Sequence, residues 1–211
     1  MIKCTFEELI ERYPCLSACA DSVRAAAEAM INSYKNGGKV LTCGNGGSCA
    51  DSDHIVGELM KGFLLKRPMG EKSTERFADM FEDGACIAKN LQGALPAISL
   101  TAQSAIISAF ANDVDPELVY AQLVYGYGKE GDILIGISTS GNSANVVAAA
   151  KTAKFMGMKT IILTGKNDCV CDSFADIVIH VPETETFKVQ ELHLPIYHYL
   201  CAECERNFFD E

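Results

Sequence analysis

Apolar and polar positions follow two different periods along this chain, and the switches between them mark its elements. Short, largely apolar runs stand at 39–43, 97–100, 133–137, 159–163 and 176–181. Each has the length of a strand covered on both faces. Between them apolar residues recur at helical spacing. Val23, Ala26, Ala27, Met30 and Ile31 form one stripe within 17–35. Val146, Val147, Ala150 and Ala153 form another after 143.

The helix ends carry their own signals. Thr5 with Glu8 is a capping box for a short helix over 5–13, which Pro14 ends. Asn36-Gly37-Gly38 stops the second helix. Thr101 or Ser104 is placed to cap a helix after 97–100, and Asp115-Pro116-Glu117 opens one that runs to 128. After the loop following 39–43, a helix is expected over 50–63. The last helix, 187–209, contains Pro195, which removes the bond to the Glu191 carbonyl and predicts a bend.

The rhythm breaks at 65–94. A polar loop, 66–72, precedes a helical pattern over 73–92 that Gly84 interrupts and that carries Phe77, Met80, Phe81 and Ile87. It reads as an insertion over the mouth of a site, a subunit contact, or a surface hairpin without chemistry. Elsewhere strands alternate with helices. The expected fold is therefore α/β, a three-layer sandwich with a five-stranded parallel sheet, helices on both faces and an N-terminal helical extension over 1–36. The span 1–211 reads as a single domain. Right-handed crossovers place the C-terminal ends of all strands on one rim, where such sheets bind ligands.

Composition narrows the function classes. Hydrophobic residues make up 48% and charged residues 22% of the chain, which fits neither disorder nor a membrane span. The net charge of -10 argues against nucleic acid as a partner. The N-terminal stretch lacks the apolar core of a signal peptide. The ten cysteines are therefore expected to be free thiols in the cytoplasm. Cys201-x-x-Cys204 lies in a helical pattern and Cys169-x-Cys171 has the wrong spacing for a redox or zinc pair, so both pairs read as packing residues.

Two rim turns carry the candidate chemistry. Ser138-Thr139-Ser140-Gly141-Asn142-Ser143 follows the strand 133–137 and heads a helix. Unpartnered N–H groups and the positive end of the helix dipole, set among hydroxyls, make a phosphate socket. An ordinary turn would need Ser143 alone, as N-cap. Gly44-Asn45-Gly46-Gly47-Ser48 is a second turn of the same kind, bringing Asn45, Gly46, Gly47 and Ser48 to the rim. His54 and Glu58 are i,i+4 on the helix behind it, a spacing that suits a metal pair or an acid/base pair. Gln190, His193 and His198 lie on the last helix, with Gln190 and His198 about 80° apart around it and roughly 12 Å along it. On a straight helix those two cannot comfortably reach one ion. His180, near a strand end, reads as structural.

The 44–48 turn, His54-x-x-x-Glu58, Asn112-Asp113, the 138–143 turn, and Gln190-Glu191-x-His193 followed by His198 resemble, in order and over almost the whole chain, the phosphoheptose isomerases of the SIS-domain family. The resemblance implies conversion of sedoheptulose 7-phosphate to an aldoheptose 7-phosphate through an enediol, in a cytoplasmic homotetramer with sites at subunit interfaces. It implies one zinc per subunit on His54, Glu58, Gln190 and His198. It implies substrate contacts from Asn45, Gly46, Gly47, Asn112, Asp113, Ser138, Thr139, Ser140 and Ser143, with Glu58 and Gln190 also on the sugar. Glu58 would be the base and His198 the acid. Two departures stand out: the 65–94 insertion, and Phe187 where some members carry a catalytic aspartate. The rival readings are a SIS-domain adaptor or sensor that binds phosphosugars, and an isomerase of another sugar phosphate.

Overall fold

The computed structural model describes residues 4–209; positions 1–3 and 210–211 of the chain lie outside it. The chain runs α1 (Phe6–Arg12), α2 (Ala20–Lys35), β1 (Val40–Gly44), α3 (Gly47–Met60), α4 (Glu71–Met80), α5 (Gly84–Asn90) and β2 (Ala97–Ser99). It continues α6 (Ser104–Asp113), α7 (Val119–Tyr127), β3 (Ile133–Ile137), α8 (Ala144–Phe155), β4 (Lys159–Thr164), β5 (Ile177–His180) and α9 (Thr186–Phe209). The five strands form one parallel sheet in the order β2-β1-β3-β4-β5. The expected α/β sandwich is therefore present.

Side-chain alternation along β3 divides the core. Ile133, Ile135 and Ile137 face one layer, with α1, α2 and α9 and the inner side of α3. Leu134 faces the other, with α7 and α8. Gly136 points the same way as Leu134, and a Cβ there would come within 3.0 Å of Val146 on α8 and 2.9 Å of Ile162 on β4. Apolar cover on both sides is why these strands read as unbroken hydrophobic runs.

Several boundaries differ from the sequence reading, each for a local reason. The first residues of the expected 17–35 helix belong to a 3₁₀ turn, Pro14–Cys19, because Pro14 opens it directly after α1. Thr5 does accept from the Glu8 N–H at 3.3 Å, as expected of a cap. Neither Thr101 nor Ser104 caps α6. Thr101 instead donates to Asp53 at 2.8 Å, as Ser99 does at 2.5 Å, and Ser104 is the first helical residue. α3 begins three residues earlier than the expected position 50, at Gly47, since the positive φ of Gly46 turns the chain straight into the helix. α9 is, as expected, one helix with Pro195 inside it, and it starts one residue earlier, at Thr186.

The 73–92 pattern is two helices, α4 and α5. They pack as a hairpin whose neck closes where Pro68 pairs with Gln92 and the Gly93 N–H donates to the Arg67 carbonyl at 2.7 Å. Met80, Phe81, Ile87 and Leu91 on it are exposed. Among the described residues no helix is long and apolar enough to cross a membrane.

Two buried polar features shape the layer that holds α9. Glu205 on α9 is fully buried and accepts from the N–H groups of Phe63 (2.8 Å), Leu64 (2.7 Å) and Leu65 (3.0 Å) and from Arg67 Nε (2.8 Å). Arg67 in turn donates to the carbonyls of Leu59 (2.7 Å) and Glu58 (3.2 Å), so it caps the C-terminal end of α3. Removing one partner strands a charge in the interior. Glu205→Gln should therefore lower the unfolding free energy by roughly 3 kcal/mol in urea denaturation; a loss below about 1 kcal/mol would show the clamp to be dispensable.

His193 is fully buried, with Nε2 3.4 Å from the Thr164 carbonyl and Nδ1 unpartnered. Burial pushes its pKa down from 6.5 to about 4. A lowered histidine pKa means that the unfolded chain binds the extra proton first. The neutral ring's contribution is complete above pH 6.5 and is lost as pH falls toward 4. His193→Gln should abolish about 3 kcal/mol of the stability difference between neutral pH and pH 4. Equal acid sensitivity in variant and parent, measured by chemical denaturation at both pH values, would refute this.

Candidate active site

β1 and β3 are neighbours that end together, Gly44 opposite Ile137. The chain leaves β1 for β2 on one side and builds β3 on the other, so the strand order reverses here and a crevice opens beyond the strand ends. The two turns expected from sequence form its lips. In the first, the Tyr120 hydroxyl donates to the Gly44 carbonyl at 2.8 Å and the Ser48 N–H to the Asn45 carbonyl at 3.0 Å. In the second, Gly141 has φ +65° and the Asn142 N–H donates to Ser140 Oγ at 3.2 Å.

Ser143 occupies the N-cap position of α8, yet its side chain caps nothing; its hydroxyl bonds to that of Ser138 at 2.9 Å. The positive end of α8 is therefore not quenched by the residue that an ordinary turn would use. Thr139, Ser140 and Asn142 also line a cavity of about 300 Å³ on the β4 side of the turn, where Lys166 adds a positive charge beside Thr184 and Thr186. The lips are tied by a pair that the sequence did not disclose. The Asn45 and Asn145 side-chain amides exchange two hydrogen bonds, at 2.8 and 2.9 Å.

Behind the first turn, α3 and α9 run side by side in the same direction. Gly47 lies against Gln190, His54 against Tyr197 and His198, and the Ile55 carbonyl against Cys201. A Cβ on Gly47 would sit 2.5 Å from Gln190 Nε2, so the glycine makes room for that amide at the start of α3. His54 Nε2 is 3.1 Å from Glu58 Oε1, and the second Glu58 oxygen accepts from Lys61 at 3.1 Å. The His54 and His198 rings meet edge to face, centroids 5.0 Å apart. A further cavity of about 290 Å³, lined by Glu8, Arg12, Phe63 and Pro195, opens beside His198.

Hydrogen positions on these rings follow from their partners. The Tyr197 hydroxyl donates to Asp51 at 3.1 Å, and His54 Nδ1 lies 3.1 Å from the same oxygen. The hydroxyl has one proton, so Nδ1 must carry the hydrogen of its contact. A neutral His54 then turns a lone pair on Nε2 toward the Glu58 carboxylate. Two acceptors face each other, which a second ring proton, a proton on the carboxyl or a cation relieves. His198 Nε2 is buried without a partner. Burial, and then the neighbouring His54, lowers the His198 pKa, so the ring is neutral at pH 7. Two imidazole nitrogens and a carboxylate oxygen are donors that suit a zinc-class ion.

Not every expected residue joins this cluster. Gln190 stands about 10 Å up the seam from His54, so within one protomer it belongs with the glycine turn. Among the described residues, the His/Cys/Asp/Glu trio whose donor atoms all lie within 4.8 Å of one another is a different one, Cys169, Asp172 and His180. Asn112 and Asp113 are exposed and close the end of α6; Asn112 donates to Asp113 at 2.8 Å. Phe187, 56% exposed, lies in the first turn of α9. Tyr197, Asp51, Lys61 and Asn145 were not anticipated, because none belongs to a local motif and each acts through a partner distant in sequence or outside the turns.

The family model for the SIS domain matches residues 14–91 and 73–165. The chain is 38% identical to a phosphoheptose isomerase of Clostridium acetobutylicum over 90% of its length and 85% of the relative's. It is 34% identical to one from Shewanella baltica over 100% of its length and 96% of that relative's. Solved structures agree. A phosphoheptose isomerase from Francisella tularensis superposes with a TM-score of 0.76 at 32% identity, covering 95% of this chain and 94% of that one. The enzyme from Neisseria gonorrhoeae gives 0.72 at 32% identity, covering 93% and 92%. With its two rim turns, its α3–α9 seam and relatives matched along nearly the full length, the chain belongs to the phosphoheptose isomerase family of SIS-domain proteins.

Proposed function

We propose that this chain is an aldose–ketose isomerase that converts sedoheptulose 7-phosphate to glycero-manno-heptose 7-phosphate. The observation that carries the reading is the seam, where the Glu58 carboxylate and His198, its buried Nε2 unpartnered, flank His54 on two parallel helices. An adaptor that only binds phosphosugars would have no use for an acid and a base held together.

In this reading the phosphate rests on the 138–143 turn, held by the hydroxyls of Ser138, Thr139, Ser140 and Ser143 and by the N-terminus of α8. Asn45, Gly46, Gly47 and Ser48 line the other lip, and Gln190 reaches the sugar from beside Gly47. Glu58 removes a proton from C1 of the open-chain ketose while His198 delivers one to the oxygen at C2, which gives the enediol. Return of a proton to C2 and departure of the O1 proton give the aldose. Each positioned acid or base contributes about 10²–10⁴ in rate.

His54, Glu58 and His198 would hold a zinc ion, with Gln190 as the further ligand that the family resemblance implies and that one protomer's geometry sets apart; since a carboxylate bound to zinc is a poorer base, Glu58 would leave the ion to act on C1, or the ion would be structural. Such an ion would polarise the carbonyl and steady the negative charge of the enediolate. Asp51 and Tyr197 fix which ring nitrogen His54 presents. The assembly is a homotetramer. A neighbouring protomer would close the site over His54, whose side chain is 42% exposed, and bring in the exposed Asn112 and Asp113. A reducing cytoplasm suits the ten free cysteines.

Incubation with sedoheptulose 7-phosphate in D2O, followed by NMR, should show exchange at C1. Glu58→Gln should slow exchange and turnover by about 10²–10⁴ while binding of the sugar phosphate persists; undiminished exchange would remove Glu58 as the base. Ser140→Ala should raise KM more than it lowers kcat. The opposite pattern would mean that the 138–143 turn serves the chemical step and not phosphate binding.

A further inference from the structure

Below the phosphate turn lies a second cluster, which the reaction does not use. Cys169 and Asp172 stand on the turn after β4, and His180 ends β5. One donor atom from each lies within 4.8 Å of the other two. We propose that Cys169, Asp172 and His180 form a binding site for a zinc-class divalent ion, separate from the His54–Glu58 seam.

The hydrogen bonds argue for it. His180 Nδ1 is 2.8 Å from the Gly165 carbonyl, which can only accept, so Nδ1 carries hydrogen. A neutral ring then aims the Nε2 lone pair at Asp172 Oδ1, 2.8 Å away. The pair is satisfied by a second ring proton or by a cation, and the thiol at the same point favours the cation. A histidine whose other nitrogen donates to a backbone carbonyl is the usual arrangement of a metal ligand. Asp172 is already aimed, since its Oδ2 accepts from the Cys169 N–H at 2.7 Å. The Asp172 N–H points back at the Cys169 sulfur.

Size and access fit as well. Donors around tetrahedral zinc are about 3.3–3.6 Å apart, by the usual bond lengths, so no pair needs to close by more than about 1.5 Å, and the His180–Asp172 contact, now 2.8 Å, opens by about 0.5 Å. The His180 and Asp172 side chains are 30% and 33% exposed, which leaves an entry path and room for water as a fourth ligand. Burial raises the pKa of Cys169, and of Cys171 to about 11, so neither is a reactive thiolate by itself. A bound cation displaces the thiol proton. Cys171 takes no part as a ligand, being buried with its sulfur 3.6 Å from the Gly141 carbonyl. The sequence reading took Cys169 for packing because its ligand partners are not at a motif spacing.

The ion would brace the phosphate turn from behind. The Val170 N–H donates to Asn142 Oδ1 at 2.9 Å, and a Cβ on Gly141 would lie 2.5 Å from the Cys169 sulfur. Anything that fixes Cys169 and Asp172 therefore fixes residues 141–142.

Cobalt separates this site from the seam, because His54, Glu58, Gln190 and His198 include no sulfur. Titration of the metal-depleted full-length protein with Co2+ should produce a thiolate-to-cobalt charge-transfer band. The band should persist in His54→Ala. Loss of a group that merely orients a ligand costs about 10–100-fold in affinity, so Cys169→Ser and His180→Gln should each weaken binding by roughly 100-fold or more. Circular dichroism would establish that both variants are folded; were either unfolded, Asp172→Asn would take its place with the same expected loss. Absence of the band in the parent protein, or its survival at full strength in Cys169→Ser, would overturn the proposal.

Discussion

The parallel pairing of α3 with α9 is the constraint on which the candidate site depends. Neither helix could assemble the candidate site alone: His54 and Glu58 stand on one, His198 on the other. The pairing is fixed at its lower end by the buried Arg67–Glu205 clamp, which takes up the last carbonyls of α3 and the N–H groups of the chain leaving it. At its upper end the lack of a side chain at Gly47 lets the Gln190 amide rest on the first turn of α3. A buried ion pair is not stabilising merely by existing. This one tolerates burial because Glu205 receives four donors, three from backbone and one from Arg67, so little of the charge is left unanswered. The clamp also sits at the neck of the 65–94 hairpin, and Arg67 reaches the Glu58 carbonyl itself, so the root of the hairpin is fixed against the backbone that carries Glu58.

Above the seam, the sheet supplies the second half of the arrangement. Reversal of strand order between β1 and β3 opens the crevice, and both turns enter it from adjacent strand ends. Ser143 illustrates how the second turn departs from an ordinary helix start. Its hydroxyl is engaged by Ser138, and of the first N–H groups of α8 the Val146 N–H is taken by Asn145 Oδ1, at 3.0 Å. The Asn45–Asn145 amide pair links the two lips. A ligand that bridges them meets a surface already held in place, and the entropy of ordering the turns has been met in folding.

What could be read from sequence is what neighbours along the chain determine. Strand, turn and helix periods placed all five strands within a few residues, and the rim rule put Asn45, Ser48, Ser138 and Ser140 at one edge. The sequence set Gln190 and His198 eight residues apart on one helix, and α9 does carry both, with Gln190 beside Gly47 and His198 beside His54. Most of the unread features join residues far apart in the chain. Arg67 finds Glu205, Tyr197 finds Asp51, Asn45 finds Asn145, and His180 finds Asp172 across a turn. Polar residues with one distant partner leave no periodic trace. Thr101 shows the same limit from the other side: it looked like a cap and is claimed by Asp53.

The central claim is geometric: one sugar phosphate must reach from the hydroxyl turn of α8 to the seam between α3 and α9. A crystal structure of the Glu58→Gln variant with sedoheptulose 7-phosphate bound tests it most directly. Phosphate oxygens should lie within hydrogen-bond distance of the Ser138, Ser140 and Ser143 hydroxyls, with C1 and C2 beside position 58 and His198. A phosphate held elsewhere, or a carbonyl end that points away from His198, would contradict it.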